Sequence, residues 1–168
     1  MTGREGPRAV TLLDRPLTSE EARAIATWSY EPPFDLYELS AERAVALLTA
    51  RDADGLGYYP VEVGREVAGF VCFGPEGRVA GQEPEPGTVD VGAGLHPDRV
   101  SQGLATALLP EVVRFATERF GASRLRAAVA EFNERSIRLC TSAGFLPVRE
   151  FAGPAGRPFV ELVLEVRA

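Results

Sequence analysis

Lysine is absent from this chain, and all 18 of its basic residues are arginine. Such a pattern points to a genomic composition bias, and it leaves the chain no side-chain amine of its own. Cysteine is nearly as scarce. Cys72 and Cys140 have no ligand spacing around them, which argues against a zinc site or a disulfide framework and for two free thiols. No apolar run reaches the roughly 18 residues of a membrane span, and the opening MTGREGPRAV lacks the apolar core of a signal peptide, so the cytoplasm is the expected location. The net charge of −6 speaks against a nucleic-acid backbone as the main partner and is compatible with a cationic ligand such as an amine.

What is present suits one soluble domain over residues 1–168, with 45% hydrophobic and 25% charged residues. The chain is organised around His96 to Leu109. Before it, Val89 to Leu95 reads as a strand, with Val89, Val91, Ala93 and Leu95 on one face and Asp90, Gly92 and Gly94 on the other. After it, Leu104, Leu108, Val112, Phe115 and Ala116 recur at helical spacing, which predicts a helix from about Ser101 to Phe120, with Pro110 expected to bend it. Between them, Gly103 and Ala105 keep side chains out of the way of a ligand. A helix N-terminus carries about half a positive charge and up to four unpaired N–H donors, so a pyrophosphate can be held there without lysine.

The string Val100-Ser101-Gln102-Gly103-Leu104-Ala105 resembles the acetyl-CoA motif of the GNAT N-acetyltransferase superfamily, Gln/Arg-x-x-Gly-x-Gly/Ala, although Val100 replaces the first polar residue. Downstream, Asn133 to Phe145 (NERSIRLCTSAGF) resembles the family block Asn-x-x-Ala-Ile-x-Leu-Tyr-x-x-x-Gly-Phe, in the correct order and spacing. The resemblance implies an α/β fold with a mixed, mostly antiparallel sheet of six or seven strands and about four helices. It also implies acetyl-CoA as cosubstrate, no metal, and acetyl transfer to a primary amine of a small molecule or a peptide. The alternative is a non-catalytic acyl-CoA-binding module of the same fold.

The resemblance implies that CoA lies against Leu95, Arg99, Gln102, Gly103, Leu104, Ala105, Thr106 and Asn133. Backbone groups near Leu95 would hold pantetheine and polarise the acetyl carbonyl. Asn133 is equally natural as a helix N-cap. Asp90 reads as a proton acceptor acting through water, as an attractor of a cationic substrate, or as a solvated strand-end carboxylate. Cys140 stands where many family members have a proton-donating tyrosine, and reads either as a weak acid or as a small buried helix residue. His96, the only histidine, is assigned to its loop ahead of general base.

The flanks complete the reading. Val10 to Leu13 predicts a strand, and Thr18 an N-cap for a helix that continues through Trp28. Two prolines then force Trp28 to Tyr37 into an aromatic loop whose Trp28, Tyr30, Phe34 and Tyr37 either wall the acceptor site or simply pack. A helix over about Ala41 to Ala50 and strands over Tyr58 to Val63 and Val67 to Phe73 follow. Gly74 to Gly87 predicts a surface loop. A strand over Ser123 to Ala130, a helix over Glu134 to Ala143, and a final strand pair over Phe145 to Phe151 and Phe159 to Val166 complete the chain.

Overall fold

The computed structural model describes residues 9–38, 41–100 and 103–166. They form strands β1 (Val10–Leu12), β2 (Tyr58–Val63), β3 (Glu66–Phe73), β4 (Thr88–Leu95), β5 (Arg124–Ala130), β6 (Leu146–Ala152) and β7 (Pro158–Glu165). The helices are α1 (Ser19–Ala26), α2 (Ala41–Thr49), α3 (Leu104–Phe120) and α4 (Glu134–Ser142). The seven strands make one sheet in the order β1-β2-β3-β4-β5-β7-β6, antiparallel at every pairing except the central, parallel β4–β5 pair. Among the described residues no helix is long and apolar enough to cross a membrane.

Local chemistry explains the elements. Thr18 caps α1 by accepting from the Glu21 N–H while the Glu21 carboxylate accepts from the Thr18 N–H, a reciprocal capping box. That helix stops at Ala26, with Thr27 as its C-cap, so Trp28 lies beyond it and not within it as the sequence reading expected. The β2–β3 turn needs a left-handed residue and has Gly64 at φ 66°. The expected start of α3, at about Ser101, lies outside the described residues; the described helix runs from Leu104 through Pro110 as one element to Phe120, where the left-handed Gly121, at φ 61°, ends it.

Both faces of the sheet are covered. On one, Leu108, Val112, Phe115 and Ala116 of α3 pack with Tyr59, Val61, Val71, Phe73 and Val91 of the sheet, and Cys140 and Phe145 belong to the same core. Each large side chain buried there contributes about 1.5–3 kcal/mol by leaving water. On the other face, Ala22 and Ile25 of α1 and Ala44 and Leu48 of α2 pack on Tyr58 and Cys72.

The stretch from Gly74 to Gly87 is less of a free loop than its glycines and prolines suggest. Gln82 is buried and donates to Glu161, while Arg126 donates to the Glu83 carbonyl and to Glu85. Arg149 reaches both Glu161 and the Gly81 carbonyl. The segment is thereby strapped across β5, β7 and β6.

Candidate active site

The site begins where the sheet opens. β4 and β5 pair only at Thr88 with Arg124, Val89 with Leu125 and Asp90 with Arg126. Beyond Asp90 the strands part, while β4 stays paired with β3 as far as Leu95 opposite Gly69. The His96 N–H donates to Ala68 on the β3 side at 2.8 Å, whereas the Phe73 N–H, opposite Val91, turns away from β4 to Gly57. Antiparallel ladders alternate, so the peptide groups of Val91, Ala93 and Leu95 face away from β3, into the opening. Past the Val91 N–H, which completes the Asp90–Arg126 pairing, these form a row of backbone donors and acceptors that β5 does not use.

The row leads to the N-terminus of α3. Gly103 holds a left-handed φ of 72° as N-cap, no side chain among the described residues caps the helix, and a Cβ at 103 would meet nothing within 4 Å. The first N–H groups of this 17-residue helix have no partner within the helix itself, which is what suits a helix start to an anion. Leu104 is buried and anchors the turn. Ala105 and Thr106 follow it in the first helical turn. Gln102 lies outside the described residues. Arg99 is engaged elsewhere, its guanidinium 3.0 Å from Glu66. Asn133 is the N-cap of α4 and accepts from the Ser136 N–H at 3.3 Å.

The aromatic segment after α1 divides between the two sides of the opening. Trp28 stacks on Phe70 and meets the His96 ring edge-on at 5.1 Å. Tyr30 donates its hydroxyl hydrogen to the Leu95 carbonyl at 2.7 Å. Phe34, in a short turn of 3-10 helix over Phe34–Tyr37, contacts Phe132 beyond the end of β5 at a ring separation of 5.5 Å. The segment thus spans the opening from the β4 side to the β5 side. Tyr37 ends that turn, and its side chain lies outside the described residues. A depression of about 480 Å³ borders Phe132, lined also by Glu131, Glu134, Arg157 and Pro158. Phe132 was not among the residues the sequence singled out, although it directly precedes the Asn133 block.

The solvated reading of Asp90 needs correction, while Cys140 takes the buried one of its two readings. The Asp90 carboxylate is not solvated: it is buried, bonded to Arg126 through both oxygens and 3.3 Å from Arg78, so its charge is matched within the fold and no oxygen is left bare for an amine. Gly92 and Gly94 make room for neighbouring side chains. A Cβ at 92 would lie 3.0 Å from the Cys72 sulfur and one at 94 would lie 2.5 Å from the Phe70 ring, so those side chains fill the glycine positions. Cys140 is buried in the core, and burial pushes its thiol up to about 11, which removes it as a ready proton donor.

His96 caps the short 3-10 turn Pro97–Arg99 by accepting the Asp98 N–H on Nδ1. A neutral imidazole so engaged carries its hydrogen on Nε2 and has no lone pair left for a base.

Comparison with known proteins places this fold. A search of curated proteins finds no significant sequence relative. Among solved structures, a putative phosphinothricin N-acetyltransferase superposes with a TM-score of 0.74 at 20% identity, covering 95% of this chain and 100% of that one. The aminoglycoside acetyltransferase AAC(6')-Ib in complex with coenzyme A gives 0.71 at 19% identity, covering 94% and 95%. The acetyltransferase yncA of Salmonella typhimurium with acetyl-CoA, itself described as putative, gives 0.67 at 23%, covering 95% of each chain. The model of the acetyltransferase (GNAT) family matches residues 19–145. That span reaches from the first helix through both motifs, and the chain belongs to the GNAT acetyltransferase family.

Proposed function

We propose that the protein transfers the acetyl group of acetyl-CoA to a primary amine, by direct attack of the amine within a ternary complex. The observation that carries this reading is the open edge of β4, beyond its last pairing with β5 at Asp90 and up to Leu95, leading to the glycine-started N-terminus of α3. A pantetheine arm carries amide groups suited to such an edge. Its pyrophosphate suits the N–H groups of Gly103, Leu104, Ala105 and Thr106, with Gln102 beside them, Leu95 at the acyl end and Asn133 across the opening. Arg99 joins the phosphate rim by exchanging Glu66 for the anion.

The amine enters past Trp28, Tyr30, Phe34 and Tyr37. Its nitrogen forms the C–N bond as the C–S bond breaks, one amine proton passes to water, and the departing thiolate takes a proton from water. Direct transfer is favoured because neither cysteine is a competent nucleophile: burial pushes Cys72 up to about 12 and Cys140 up to about 11, so neither is a thiolate near neutral pH. Orientation of thioester and amine in one groove contributes several kcal/mol, on the order of 7 in favourable cases.

Small amines are the better-supported acceptors. The structural neighbours include a spermidine N-acetyltransferase chimera and AAC(6')-Ib in complex with paromomycin, both of similar fold. Release of free CoA thiol with a panel of primary amines, and intersecting lines in two-substrate kinetics, test the proposal. Parallel lines would mean a ping-pong route. The burial of Cys140 favours one second reading, a cofactor-binding module without turnover. Tight acetyl-CoA binding with no CoA release for any amine would select it.

A further inference from the structure

The open edge of β4 ends on a carbonyl that is already occupied. Leu95 accepts the hydroxyl hydrogen of Tyr30 at 2.7 Å, across 65 residues of sequence. The phenol is held there from several directions. The Tyr30 N–H donates to the Glu38 carboxylate at 2.8 Å, and Trp28, two residues earlier, is packed against Phe70 and His96. Tyr58 and Tyr59 are both buried in the core, so Tyr30 is the one phenol placed at this edge among the described side chains.

A phenol has a single hydrogen to donate. Here it is committed to Leu95, and what remains on the oxygen is its capacity to accept. Burial, aided by Glu38, pushes the Tyr30 hydroxyl up to about 12, so it keeps its proton at any working pH and serves neither as a base nor as a ready acid. A neutral primary amine has the complementary requirement. It has N–H groups to give, and its lone pair must be aimed at the thioester.

We propose that Tyr30 orients the acceptor: its oxygen, with the hydroxyl hydrogen fixed on the Leu95 carbonyl, accepts an N–H of the incoming amine and so directs the nitrogen lone pair along the open edge of β4. The proposal rests on the acetyl-transfer reading above. It makes Tyr30 a residue that acts on the amine and leaves acetyl-CoA binding untouched.

The test is Tyr30→Phe, which keeps the ring and removes the oxygen, assayed with n-butylamine as acceptor and separately with water alone as the acyl acceptor. The expected result is a 10- to 100-fold loss in kcat/KM for butylamine, with the KM for acetyl-CoA and its slow hydrolysis within about twofold of the parent. Equal losses in butylamine transfer, acetyl-CoA affinity and hydrolysis would show that the phenol merely clamps Leu95, and would overturn the proposal. So would an unchanged kcat/KM for butylamine. Should Tyr30→Phe not fold, Glu38→Ala releases the Tyr30 backbone from an exposed side chain. It is expected to give the same selective loss, at least threefold, and parity with the parent would overturn the proposal. A parent protein that releases no CoA with any amine would instead bring down the acetyl-transfer reading itself.

Discussion

Asp90 and Arg126 meet at the last position where β4 and β5 pair, with the two carboxylate oxygens 2.6 and 3.1 Å from guanidinium nitrogens. Both side chains are buried, so the apex of the opening is fixed by a side-on ion pair out of reach of water. Asp90→Ala would leave Arg126 charged and poorly compensated, and should destabilise the fold by about 3 kcal/mol, the lower end for breaking a buried pair because Glu85 remains beside the arginine. Urea unfolding measures this as a lower midpoint at constant slope. A catalytic base would behave otherwise, losing one limb of the pH–rate profile with stability intact.

Gly103→Val should raise the Kd for acetyl-CoA at least tenfold by calorimetry. A β-branched residue at φ 72° is strained by about 1–3 kcal/mol, and its side chain would also fill the open space in front of the first N–H groups. Both effects are separable, since unfolding reports the strain and calorimetry the blocked anion site. An unchanged Kd would place the phosphates elsewhere.

Cys140→Ala should keep measurable turnover and cost about 1–2 kcal/mol of stability, because the thiol lies in the core beneath α4 and carries no chemistry. Cys140→Tyr should lose stability by about 1–3 kcal/mol from overpacking and gain no rate. Loss of all turnover in a folded Cys140→Ala variant would reverse the assignment.

Stability should also fall in acid through Glu21. Its side-chain bond to Arg15, and then its bond to the Thr18 N–H, hold its carboxyl below the usual carboxylate value. A depressed folded pKa contributes stability that is present above the unfolded value of about 4.3 and is lost as pH falls through the folded value. Glu21→Gln should flatten that part of the stability profile, at a cost near neutral pH of about 1 kcal/mol for the weakened cap. Parallel profiles for the two proteins would refute it.

The sequence was most legible where the information is local. The stripe Leu104, Leu108, Val112, Phe115 and Ala116 is buried as its spacing requires, and Thr18 caps the helix it precedes. It was silent where partners are distant. Nothing near Asp90 announces Arg126, 36 residues away, or identifies the face as covered by the Gly74 to Gly87 strap. Tyr30 was legible as an aromatic near the acceptor side, but its bond to Leu95 depends on where a loop lands on a strand edge. Strand glycines were ambiguous for the same reason, since a missing side chain does not say what fills the space.

That filling has a consequence for β4. The ring of Phe70 occupies the volume a side chain at Gly94 would claim, and Trp28 stacks on that ring while meeting His96 edge-on. The strand that would face the substrates thus borrows its bulk from its neighbour. A lesion at Phe70 would leave the backbone groups of β4 chemically intact, yet it would empty the space beside Gly94 and remove the ring on which Trp28 rests. In a mutational screen scored only by activity, position 70 would therefore masquerade as part of the active site.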